Sequence, residues 1–271
     1  EDSNHNLLEE LRALIAPQVL RRMKYDVAEL PAKHEVNDCK DIAISSLQRE
    51  QYRAALHDFK QASQQGGKGM MLGLLHDIRM ICAHPLKFQG QATLDASPKA
   101  VWLIKVLESI KQKNEKVIIF TEFRDIQVFL KRILSENFDL NVTTVNGDSN
   151  TNSRKGATRQ GVIDKFQATD GFNVILLSTV AVGFGVNIQK ANHVIHYTRS
   201  WNPAKEDQAT DRAYRIGQDK EVFVYYPSIV AHDFETFEIK LDKLLSSKRN
   251  LADDMLKPEV DLKQELINSI H

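Results

Sequence analysis

The sequence predicts an α/β protein: a parallel sheet covered by helices on both faces, preceded by a largely helical segment. Three observations point there. Short all-apolar runs such as Val117-Ile118-Ile119-Phe120 and Val174-Ile175-Leu176-Leu177 have the composition of strands buried on both faces. Helical stretches near 124 to 136, 156 to 167 and 203 to 216 alternate with these runs, the pattern that specifies crossover connections in a doubly covered sheet. Ahead of residue 97 the apolar period is instead mostly that of a helix.

Taken in order, Leu7-Leu8-Leu11-Leu14-Ile15, Leu47-Tyr52-Leu56-Phe59 and Met71-Leu74-Leu75-Ile78 repeat at the spacing of one helix face, so residues 7 to about 85 read as helices. An extended stretch from Glu35 to Ile44, after Pro31, interrupts them, and Ser46 is the cap expected for the helix that follows. Gln64-Gln65-Gly66-Gly67-Lys68-Gly69 is a connector. It is no phosphate loop, because no apolar strand precedes it and Gly69 stands where Ser or Thr is required. Ser97-Pro98-Lys99 starts a helix. Strands are expected at 117 to 120, 142 to 145, 174 to 177, 194 to 197 and 222 to 225, and the loops after them form the crevice where such sheets bind ligands. Beyond Tyr226, Phe234, Phe237, Ile239, Leu241, Leu244 and Leu245 mark an amphipathic helix. The tail from Pro258 to His271 is only partly periodic.

At 271 residues, 42% hydrophobic and 27% charged, the chain can bury a real core and is too polar for a membrane protein. No apolar run approaches the ~18 residues of a membrane span, and Glu1-Asp2-Ser3-Asn4 reads as the start of an excised fragment. Zero net charge excludes a global field for nucleic acid and leaves local patches: Arg21, Arg22 and Lys24, or Arg154, Lys155 and Arg159. Each is by default a solvated face. Two cysteines give no disulfide framework and indicate a reducing intracellular compartment. Cys82-Ala83-His84 lacks further ligands, so a buried thiol and a polar loop histidine are expected and no metal.

The most informative segment is Gln208-Ala209-Thr210-Asp211-Arg212-Ala213-Tyr214-Arg215-Ile216-Gly217-Gln218. With Asn202-Pro203 as start and Gly217 as stop, a helix over 203 to 216 places Gln208, Arg212 and Arg215 on one face. Two guanidiniums projecting from a rigid element suit the charge that develops on a phosphoryl group in transfer. A solvated face with ion pairs to Glu206, Asp207 and Asp211 is the other reading.

Together with Trp201-Asn202-Pro203 and Glu206-Asp207, this run closely resembles motif VI and its lead-in in the Swi/Snf family of double-stranded DNA translocase ATPases, a branch of the superfamily-two helicases. Other segments are similar to elements of the same family. Leu20-Arg21-Arg22-Met23-Lys24-Tyr25-Asp26-Val27, Leu30-Pro31-Ala32-Lys33 and Ile78-Arg79-Met80-Ile81-Cys82-Ala83-His84-Pro85 resemble its protrusion and bridge. Phe120-Thr121-Glu122-Phe123 resembles motif IV, Val145-Asn146-Gly147-Asp148 a short glycine loop, and Ser178-Thr179 the start of motif V. Motif V departs from the pattern: Val180 and Val182 stand where relatives have lysine and glycine, while Gly183, Gly185 and Asn187 are kept.

The resemblance implies a helical protrusion and inter-lobe bridge over 1 to 96, a second RecA-like lobe over 97 to 230, and a bracing helix with tail over 231 to 271. It implies that Arg212 and Arg215 complete an ATP site, supported by Gln208, Gly183, Gly185, Asn187 and Gln218. Thr121, Gly147, Ser178, Thr179 and Trp201 would face DNA, although capping for Ser178 and Thr179 and core packing for Trp201 are also open. Arg21 and Arg22 take either a hinge-packing or a DNA-phosphate role. Arg199, beside Thr198, reads as local basic compensation. Implied partners are double-stranded DNA and the first RecA-like lobe; ATP and Mg2+ would be bound mainly by that lobe. The chain has no Walker A and no Asp-Glu-x-His, so by itself it should not hydrolyse ATP. The alternative is a non-catalytic RecA-like module that binds DNA or protein.

Overall fold

A computed structural model of the chain describes residues 30–63, 70–85, 94–146, 158–179 and 185–253. The readings at Leu7 to Ile15, Arg21, Arg22, Lys24, the 64–69 connector, Gly147, Arg154, Lys155, Val180, Val182, Gly183 and the 258–271 tail lie outside them. Six strands form one parallel sheet: β1 (Lys33–Val36), β3 (Lys116–Phe120), β4 (Thr143–Val145), β5 (Asn173–Leu177), β6 (His193–His196) and β7 (Val222–Tyr225), ordered β1-β7-β6-β3-β5-β4. A second small pair joins β2 (Ile42–Ala43) to β8 (Ile229–Val230). The helices are α1 (Ser46–Ser63), α2 (Met70–Ala83), α3 (Pro98–Gln112), α4 (Arg124–Phe138), α5 (Arg159–Ala168), α6 (Pro203–Thr210) and α7 (Phe237–Asp253). The fold is the α/β arrangement expected of a RecA-like lobe.

The strands are apolar on both sides because both sides are covered. On β3, Val117 and Ile119 join Leu103, Leu107, Leu130 and Leu134 of α3 and α4. Ile118 and Phe120 point the other way and meet Ile163, Phe166, Ala209 and Ala213. Alternate side chains of a strand leave on opposite faces, so a run without polar residues needs helices above and below. The apolar stripes of α1, α2 and α7 meet in a third core around Tyr52, Leu74, Leu75, Ile78, Phe237 and Leu241, with Ile229 of β8.

Two local signals turn out as the sequence has them. Ser97 caps α3, its hydroxyl accepting from the Ala100 amide, with Pro98 in the first turn. Asn202 caps α6 in the same way through Ala204, with Pro203 following. One cap moves: Ser45, not Ser46, starts α1. Its hydroxyl accepts from the Gln48 amide while Gln48 Oε1 accepts from the Ser45 amide, a reciprocal capping box. The extended stretch also does more than link helices. Its first strand, β1, pairs along the edge of β7, so the segment ahead of residue 97 contributes a strand to the main sheet.

Candidate functional site

The chain runs from β3 outward to β4, returns to β5, then crosses to β6 on the other side of β3. The crevice at the carboxyl ends of β5, β3 and β6 is therefore the point where the winding reverses, and loops diverge there. Thr121, fully buried, accepts at Oγ1 from the Thr198 hydroxyl at 3.0 Å. Glu122 donates its amide to Thr198 Oγ1 at 3.3 Å and accepts at Oε1 from the Thr179 hydroxyl at 2.9 Å. The Ser178 amide donates to Val145 O, and the Thr121 amide to Leu177 O. The Thr121 and Thr179 hydroxyls and the Ser178 amide are thus bonded inside the lobe, where they brace the crevice. Burial selects this outcome, since a buried hydroxyl or amide left without a partner costs about 1–3 kcal/mol. Trp201 is half-buried, edge-on to Phe237 with centroids 5.4 Å apart and the Arg79 guanidinium 5.1 Å from its ring.

The arginine segment differs from its sequence reading in one respect. The helix ends at Thr210, so Gln208, Arg212 and Arg215 do not share one continuous helical face. The Thr210 side chain is buried, with Oγ1 2.9 Å from His196 Nε2. The chain then tightens, with the Arg212 amide on Ala209 O and the Ala213 amide on Thr210 O. A continuing helix would need the carbonyls of Arg212 and Ala213 for amides four residues on. Instead Arg212 O accepts from the Ile188 amide at 2.9 Å, and Ala213 O accepts from Gln218 Nε2 at 3.1 Å. Long-range partners outcompete the last helical turn, and Ala209 and Ala213 remain seated in the core.

Gln218 is the pin of this turn. It is buried, and Nε2 donates to the carbonyls of Gln189, Ala191 and Ala213 at 2.9, 3.0 and 3.1 Å. Gly217, at φ +95°, reverses the chain where Gln189 Nε2 bonds Ile216 O at 2.6 Å. Arg215 Nη1 donates to Asn187 Oδ1, so the end of the motif V segment, which leaves Gly185 at φ +74°, holds the second arginine. Gln208 is exposed on α6.

Neither Arg212 nor Arg215 makes a salt bridge to a carboxylate among the described residues. Glu206, one of the acids considered as their partner, is fully buried and taken by Arg199 through two bonds of 2.8 and 2.9 Å. The Nε atoms of both motif arginines are buried and unbonded among the described residues. Burial first, and then the Arg215 charge, draw the Arg212 pKa down, with Asp211 opposing. Two neighbouring guanidiniums in this state have the chemistry to bind an anion of more than one charge. Among the described residues no group of His, Cys, Asp and Glu could hold a metal ion.

Two further expectations are corrected. Arg199 is not a surface charge that compensates for a lost lysine. It is buried, bonded to Glu206 and Asp242, and 4.1 Å over the Tyr226 ring. Burial alone would lower its pKa, but Glu206 and Asp242 raise it. His84 is not a polar loop histidine either: it is buried and stacked on Phe129 with centroids 4.0 Å apart. Cys82 is the buried thiol expected, and burial pushes its pKa up. The sequence reading gave Lys99 and Glu238 no role beyond their helices. They form a fully buried ion pair that ties α3 to α7. The signal available for such a pair was a lysine and a glutamate on helices that are otherwise apolar toward the core.

The fold and the arginine turn define a class, the C-terminal RecA-like lobe of helicase-type ATPases, and residues 98–217 match the helicase conserved C-terminal domain. Within that class its homologues and structural neighbours include Swi2/Snf2-family ATPases and chromatin remodellers. It is 52% identical over 264 residues to the Zorya protein ZorD of Escherichia coli O139:H28, covering 94% of this chain and 24% of ZorD. A Sulfolobus solfataricus SWI2/SNF2 ATPase core in complex with double-stranded DNA is 34% identical, with a TM-score of 0.68 over 92% of this chain and 52% of that one. The C-terminal part of the Fun30 ATPase domain has a TM-score of 0.69 over 89% of this chain and 97% of that one. At 23% identity it speaks for the fold alone. The chain thus spans about a quarter of ZorD and half of the Sulfolobus core. No helix among the described residues is long and apolar enough to cross a membrane.

Proposed function

We propose that this chain is the second motor lobe of an ATP-dependent double-stranded DNA translocase, with Arg212 and Arg215 as its arginine fingers. The observation that carries the reading is the arginine pair itself: two adjacent guanidiniums that make no salt bridge among the described residues, one held by Asn187, on a turn pinned by Gln218. Structural arginines in this lobe look different, as Arg199 does between Glu206 and Asp242. An arginine that makes no salt bridge among the described residues, held in a pinned turn, is suited to an anion that arrives from outside the lobe. When another lobe brings ATP and its Mg2+ against this face, the pair would stabilise charge on the terminal phosphates. ATP supplies the phosphoryl group to be transferred to water. Asn187 and Gln218 hold the fingers, and Gln208 is exposed where an opposing lobe can meet it.

DNA binding is supported by the likeness to the Sulfolobus core, whose structure contains double-stranded DNA. Trp201 is proposed to border the DNA groove at the mouth of the switch-point crevice, with the loops at Thr121 and Ser178-Thr179 as its backbone support. With zero net charge on the chain, the DNA grip would be shared with the other lobe.

The test is DNA-stimulated ATP hydrolysis by the full-length polypeptide, comparing the parent with Arg212→Ala and Arg215→Ala. Loss of roughly a thousandfold or more at unchanged thermal midpoint is expected, the scale of an arginine finger. Hydrolysis at the parent rate would leave the arginines structural and remove the ground on which the motor reading rests.

A further inference from the structure

Arg79 stands on α2, outside the arginine turn, yet its guanidinium holds loops from several strands at once. Nη2 donates to Glu122 Oε2 at 3.0 Å and to the Arg199 carbonyl at 2.8 Å. The same group lies 4.8 Å from the Phe123 ring centroid and 5.1 Å from that of Trp201. Its side chain is only 10% exposed, so this ion pair is poorly screened by solvent.

Glu122 passes the connection on. Its second carboxylate oxygen accepts from Thr179, and its amide donates to Thr198, whose hydroxyl donates in turn to Thr121. One arginine on α2 thereby reaches the loops after β3, β5 and β6. The helix α2, the Trp201 rim and the loops after β3, β5 and β6 are thus joined through the Arg79–Glu122 pair.

We propose that Arg79 is a positioning residue that couples the rim at Trp201 to the crevice loops at Glu122 and Thr179. The inference rests on the motor reading above. Lysine could not substitute. A planar guanidinium can bond two acceptors while packing against two rings, whereas an ammonium is a compact, strongly hydrated point charge. Because the loops are fastened to one another and not to solvent, a shift of Trp201 displaces Arg79, Glu122 and Thr179 together.

The test uses the full-length polypeptide and its Arg79→Lys, Glu122→Gln and doubly substituted forms. Hydrolysis with and without duplex DNA, KM for ATP, duplex translocated per ATP and the thermal midpoint are measured. Arg79→Lys is expected to keep the midpoint, the DNA-free rate and KM for ATP. The ratio of DNA-stimulated to DNA-free hydrolysis, and translocation per ATP, should fall on the order of tenfold. Glu122→Gln should lose a similar factor, and the double substitution little more than either, as groups acting through one contact do. Unchanged stimulation in Arg79→Lys overturns the coupling, as do losses that multiply in the double variant or a midpoint drop that accounts for the whole loss. Arg215→Ala run in parallel separates the two ideas. If it abolishes hydrolysis while Arg79→Lys behaves as the parent, the coupling alone fails. If Arg215→Ala hydrolyses ATP normally, the motor reading fails, and the coupling with it.

Discussion

Replacing Gln218 by Met tests whether the arginine turn is held by the bonds assigned to it. Methionine keeps the length and much of the volume of glutamine but cannot donate. The carbonyls of Gln189, Ala191 and Ala213 would each lose the donor now at 2.9 to 3.1 Å. The Lys220 amide would lose Oε1 as its acceptor at 3.0 Å. The amide group buried here is 6% exposed, so water does not easily replace it. Nε2 has two N–H groups shared among the three carbonyls, so at about 1 kcal/mol for each of those two donors and for the Lys220 amide, the low end of the usual range, the loss is about 3 kcal/mol. For a domain of this size that corresponds to a fall of roughly 6–12 °C in thermal midpoint. Urea unfolding of the parent and variant chains, followed by circular dichroism, reads the difference directly. A loss under about 1 kcal/mol would refute the reasoning, because it would mean that the turn finds other partners without Gln218.

Two other changes probe the core beneath the site. Lys99→Met leaves the Glu238 carboxylate buried without its cation and should cost about 3–5 kcal/mol in urea unfolding. Adding Glu238→Gln should restore more than half of that, since glutamine still accepts from the Ile229 amide. The His84 pKa is held down from 6.5 to about 4, first by burial and then by the Arg132 charge. An unfolded chain therefore takes up a proton at this residue that the folded chain refuses. The stability so contributed is complete above pH 6.5 and is lost as pH falls toward 4, on the order of 3 kcal/mol in all. His84→Phe, which keeps a ring against Phe129, should flatten the stability profile over that interval; an unchanged slope would assign the acid sensitivity elsewhere.

Much of the site was legible because its signals are local. Ser97-Pro98 and Asn202-Pro203 cap helices through bonds to amides two or three residues away, so the order of residue types suffices to place them. The strand at 222 to 225 and those around 117 to 120 and 174 to 177 were legible because only burial on both faces tolerates such apolar runs. The arginine pair was legible as a motif. Its setting was not: a helix to residue 216 obeys every local rule, and it fails because Ile188 and Gln218 claim the carbonyls that would extend it.

The same division holds for charge. Arg199 and Arg215 are both arginines in polar surroundings of sequence. One is neutralised by Glu206 and Asp242 and the other is left to Asn187, a difference made by residues that meet only when β6, α6 and α7 pack. By itself the sequence determined the element types, the doubly covered sheet and the residues of the arginine motif, because propensity, capping and periodicity act over a few residues. Only the tertiary structure decided that β1 adds to the β7 edge, that α6 stops at Thr210, and that Arg79 fastens the crevice loops. Each of those outcomes is a competition for buried hydrogen-bond partners far apart in the chain, and such a competition is settled by which groups packing brings within reach.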